Sequence, residues 1–190
     1  MFDYFGVLVS VMLGMALTHL LKGLAKLVQT RHESRIYWVH IVWTLNVFIF
    51  VLAIWWGMFW WRGLQDWTVE WFFFISIYAT ALYLWASLLY PPDFPRGFEF
   101  ENWFFDNKRW FFGAQILVLL LDIPETLEKS LLKLRDVPRQ YELLMPVLLL
   151  IALTGFFSNN RRVHAGLAVT WLAATLSYLF LNPSSQIMQH

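Results

Sequence analysis

The sequence predicts an all-α integral membrane protein, a polytopic bundle of about six transmembrane helices. Two observations carry that expectation. Hydrophobic residues make up 59% of the 190-residue chain and charged residues only 14%, well outside the composition of ordinary soluble domains. The apolar residues also fall into several windows of the roughly 20 residues that a helix needs to cross a bilayer. The N-terminal stretch MFDYFGVLVS carries Asp3 and has no basic residue ahead of its apolar run. It reads as a retained span, not a signal peptide.

The first span covers about 4–28. Within it Gly6, Ser10, Gly14, Thr18, Lys22 and Lys26 recur at four-residue steps and form one ridge on a helix. The small half of that ridge, Gly6, Ser10 and Gly14, is expected to pack against a neighbouring backbone. A basic corner from Gln29 to Arg35 ends the span. The second span, about 37–61, begins at Tyr37 and Trp38 and finishes in Trp55, Trp56, Trp60 and Trp61. The third, about 68–90, opens with Trp67 and Trp71 and closes at Tyr90-Pro91-Pro92. Tryptophan and tyrosine at span ends mark membrane interfaces.

Residues 93–107 mix acids with phenylalanines and are expected to lie along the membrane surface as a linker. The fourth span has two readings. One is a long helix over about 108–134 that crosses with carboxylates inside it. The other is a short helix ending near Ile123, followed by an amphipathic one. The fifth span covers about 141–157. The sixth, about 163–181, precedes Asn182-Pro183 and a polar tail over 184–190.

Six spans place Lys22, Lys26, Arg31, Arg35, Arg96, Lys108, Arg109, Arg161 and Arg162 on one side, and Arg62, Lys129, Lys133, Arg135 and Arg139 on the other. The excess of positive charge faces the cytoplasm, so both termini are expected on the non-cytoplasmic side, in a membrane such as the bacterial inner membrane.

An internal echo suggests two halves, 1–92 and 108–183. Lys22–Leu27 (KGLAKL) recurs as Lys129–Leu134 (KSLLKL), and the Arg31, Arg35, Tyr37 spacing recurs at Arg135, Arg139, Tyr141. With three spans each, the halves would be inverted, an arrangement used by many transporters.

The net charge of +1 gives no reason to expect nucleic acid as a partner, and the absence of cysteine excludes thiolate metal sites and thiol nucleophiles. No nucleophile or phosphate-loop motif occurs, so no enzyme is expected, and no cofactor. Asp122 and Glu125 are the leading transport-path candidates, because acids inside an apolar span mark ion or proton paths. The competing reading pairs Glu125 with Lys129 at i, i+4 on an interfacial helix, with Pro124 in its first turn. His19 with Thr18 offers a mid-span polar step, against an ordinary hydrogen-bonded histidine. Asn46 and Gln115 could line a path or bond between helices. His19, His40 and His164 fall on one side and are weak candidates for haem or metal, unsupported by any ligand spacing.

The expected function is an oligomeric ion, proton or small-solute channel or transporter. The alternative is a non-catalytic scaffold or accessory subunit that binds lipid or a partner membrane protein, with a b-type haem protein behind both.

Overall fold

A computed structural model describes residues 2–95 and 97–181. Arg96, the chain end at Asn182-Pro183 and the polar tail lie outside the described residues. Helices account for 81% of the structure, and no strand occurs among the described residues. They are α1 (Phe2–Gln29), α2 (Trp38–Gly57), α3 (Val69–Ser87), α4 (Phe100–Leu131), α5 (Arg139–Phe157) and α6 (Arg161–Leu181). Among the described residues six helical segments are long and apolar enough to cross a membrane, and a 3-10 segment over Met58–Gly63 extends the second of them.

The main helix contacts run α1–α3, α3–α4, α4–α5, α5–α6, α6–α2 and α2–α1, which closes a ring; α2 also leans inward against α3 and α4. The bundle has a near end, where α1 begins, and a far end, where α1 stops. Aromatic rings fill the middle. Trp43, Trp85 and Trp171 are fully buried. Trp171 lies 5.9 Å from Trp43 and 6.0 Å from Trp85, and Phe50 and Phe111 pack around them. Tilted and edge-on pairs of this kind add to plain area burial.

Helix α4 runs unbroken through the fourth span, as the long-helix reading expects, and is not interrupted near Ile123. Its 32 residues extend about 48 Å. Pro124 sits inside it, where its missing N–H leaves a carbonyl of the preceding turn without its usual partner. The linker expected over 93–107 is correspondingly shorter, because Phe100 already belongs to α4. At the far end the entry to α4 is tied to the α1–α2 corner: the Arg35 amide donates to the Phe98 carbonyl at 3.0 Å and the Phe100 amide to the Arg35 carbonyl at 3.3 Å. The Arg35 guanidinium meets the Glu99 carboxylate 2.8 Å away.

The packing does not confirm the inverted repeat: α1–α2 matches α4–α5 and α2–α3 matches α5–α6, but the other pairs do not correspond. Exchanging the halves would set α4 against α6, α6 against α1 and α3 against α5, and none of these is among the main helix pairs. The echoed lysines also differ in setting. Lys22 is exposed, whereas its counterpart Lys129 is buried against Glu125. The Gly6–Ser10–Gly14 ridge likewise lacks the expected neighbour. The buried face of α1 is Phe5, Val9, Leu13, Ala16, Leu20 and Leu27, and a β-carbon on Gly6 or Gly14 would meet open space. The close approaches occur at Gly23, under the Tyr90 ring, and at Gly155, under the Phe112 ring.

Candidate functional site

Asp122, Glu125 and Lys129 stand three and four residues apart on α4, a spacing that turns all three to one face. That face points into the bundle, and the three residues are 4%, 3% and 4% exposed. Charged groups are buried at this level only where protein replaces water as their partner.

Each has such partners. The Tyr78 hydroxyl on α3 donates to Oδ1 of Asp122 at 2.6 Å, and the Tyr141 hydroxyl at the start of α5 donates to Oδ2 at 2.8 Å. The same Tyr141 hydroxyl lies 3.2 Å from the Asp122 carbonyl. Glu125 accepts from the Trp61 indole at 2.8 Å and pairs with Lys129. The Lys129 ammonium also donates to the Gly57 carbonyl at 2.8 Å, where α2 gives way to the 3-10 segment, and stands 5.7 Å from the Trp61 ring. Charged groups on one helix thereby hold α2, α3 and α5 around it.

A cavity of about 100 Å³ adjoins this cluster between α2, α4, α5 and α6. Asp122, Glu125, Lys129, Tyr141, Thr175 and Arg135 contribute to its wall. Thr175 is buried, with its hydroxyl unpartnered. Arg135, in the α4–α5 turn, donates to the Tyr178 hydroxyl at 3.2 Å and stacks 5.7 Å from the Trp60 ring. The cavity therefore offers acid, base and hydroxyl groups within one small volume.

The remaining sequence candidates lie elsewhere. Thr18 is exposed on α1. His19 sits at the far end with Nε2 3.3 Å from the Tyr90 carbonyl. Asn46 donates to the Ala168 carbonyl at 2.9 Å and ties α2 to α6. Gln115 is buried two turns from Asp122 on the same helix, its amide atoms unpartnered. His40 and His164 both rest edge-on against the Phe104 ring, at 6.4 and 5.3 Å. His164 reaches the Ser158 carbonyl at 2.9 Å, to which Lys108 also donates at 2.6 Å, so this pair caps the end of α5. Among the described residues no three potential ligands group as they would around a metal. The three histidines face aromatic rings and backbone carbonyls, not one another.

Tyr78, Tyr141, Trp61 and Thr175 are the members that sequence reasoning missed. Trp61 reads as an interfacial belt residue, and Tyr141 enters only through the internal echo. Tyr78 carried a weak signal, a phenol between Ser76 and Thr80 in a mostly apolar span.

No protein-family model matches this chain, and neither the curated proteins nor the solved structures give a match.

Proposed function

We propose that the protein is a proton transporter of an inner membrane, with Asp122 as its proton site and the adjoining cavity as part of the proton path. One observation carries this reading. Asp122 is held inside the bundle by two phenols, while the nearby Lys129 ammonium is committed to Glu125 and Gly57. An acid in that position marks a proton or ion path in membrane proteins. Ionised, Asp122 accepts from Tyr78 and Tyr141 together. Protonated, it becomes a donor itself, and one phenol must then turn from donor to acceptor, as Tyr141 can by donating to the Asp122 carbonyl instead. The two states ask different things of α3 and α5, and such a difference lets a proton bias the position of packed helices. The closed aromatic core around Trp43, Trp85 and Trp171 favours a carrier over an open pore.

Purified protein in liposomes with an internal pH dye tests this. An imposed membrane potential drives proton movement in the parent protein, and Asp122→Asn, with an unchanged elution profile and circular dichroism, loses it. Movement at the parent rate in Asp122→Asn contradicts the reading.

The same closed core also favours a second reading, a non-transporting scaffold. It predicts no proton movement in the parent protein and a fixed partner that survives purification.

A further inference from the structure

At the far end, α1 and the residues after α3 enclose a groove of about 390 Å³. Its walls include His19, Lys22 and Lys26 from α1, Tyr83 and Ser87 from α3, and Tyr90 beyond it. The sequence dictates the shape. Gly23 lets the Tyr90 ring lie directly on α1, and Pro91-Pro92 then turns the chain across the end of the groove. His19 reaches the Tyr90 carbonyl. A carbonyl only accepts, so Nε2 bears the proton and the imidazole braces this wall.

Charge decides what the groove holds. Lys26 pairs with Asp93, and its ammonium lies 4.4 Å from the Phe94 ring. Lys22, one turn earlier, is exposed. Two lysines and one aspartate leave a balance of one positive charge, which matches the single negative charge of a phosphodiester. The α1 face below Lys22 continues through Thr18 to Met15 and Val11, at i−4, i−7 and i−11, with Met15 and Val11 51% and 55% exposed. This gives a basic group at the membrane boundary with an apolar track running from it toward the bilayer centre.

We infer that this groove binds the phosphodiester headgroup of an anionic membrane lipid, with Lys22 as the principal contact, Lys26 beside it and one acyl chain along Met15 and Val11. Free phosphate shares the headgroup chemistry but would make no use of the apolar track. The site is separate from the Asp122 cluster and does not depend on the transport reading.

The test titrates delipidated protein in neutral detergent with phosphatidylglycerol, phosphatidylcholine of the same chains, and inorganic phosphate. Unfolding temperature and lipid retained in native mass spectrometry are read for each. Phosphatidylglycerol is expected to raise the unfolding temperature and remain bound. Lys22→Gln should weaken its apparent affinity about fivefold, and Lys22→Arg should restore it. Equal retention of phosphatidylcholine, equal protection by inorganic phosphate, or an unaltered Lys22→Gln would each overturn the inference.

Discussion

The Tyr78 hydroxyl on α3 lies 2.6 Å from Oδ1 of Asp122 on α4, and both groups are buried. A phenol and a carboxyl in this setting cannot be separated cheaply, because burying a polar group costs free energy unless it is hydrogen-bonded. Removing a donor that satisfies a buried acceptor costs about 1–3 kcal/mol. Tyr78→Phe and Tyr141→Phe should each lower stability by that order in detergent unfolding. Tyr141→Phe is expected to have the larger effect, since its hydroxyl serves both the side chain and the carbonyl of Asp122.

The Glu125–Lys129 pair gives a second prediction. Breaking a buried pair leaves one charge uncompensated, at about 3–5 kcal/mol, whereas replacing both partners is far milder. Lys129→Met should therefore be strongly destabilising, and Glu125→Gln combined with Lys129→Met should recover much of the loss. Additive effects in that double-mutant cycle would show that the two groups do not interact.

Glycines separate packed from unpacked faces. A β-carbon on Gly23 or Gly155 would overlap the Tyr90 or Phe112 ring, and such overpacking costs about 1–3 kcal/mol. Gly6→Ala and Gly14→Ala meet open space and should stay within about 0.5 kcal/mol of the parent. Equal losses at all four positions would place a neighbour on the outer face of α1.

Topology is open to direct labelling, because the chain contains no cysteine. Arg31→Cys and Asp136→Cys lie in exposed turns at opposite ends of the bundle. A membrane-impermeant thiol reagent should reach them from opposite sides, with Arg31→Cys facing the cytoplasm. Labelling from the same side would contradict an odd number of crossings between them.

Span positions were legible in the sequence because a bilayer imposes length and polarity on each segment independently. The observed helix ends at Gln29, Phe157 and Leu181 fall within one residue of the expected ones. Partners were not legible. Asp122 and Glu125 announce themselves as acids in an apolar run, but nothing local says that Tyr78, 44 residues away, will meet them. The four-residue ridge on α1 finds no partner within the chain for the same reason. Periodicity identifies a face, and the ring order of the helices decides whether that face turns inward or outward. Lys129 was readable as a partner of Glu125, yet its burial depended on α2 and the Trp61 ring closing over it.

Reaction with a membrane-soluble carbodiimide, which attacks protonated carboxyls in apolar surroundings, tests the central claim most directly. Peptide mapping of the treated protein should find the adduct on Asp122, and modified protein should no longer move protons across liposomes. Adducts confined to acids of the exposed turns, with Asp122 unmodified and proton movement intact, would contradict the account.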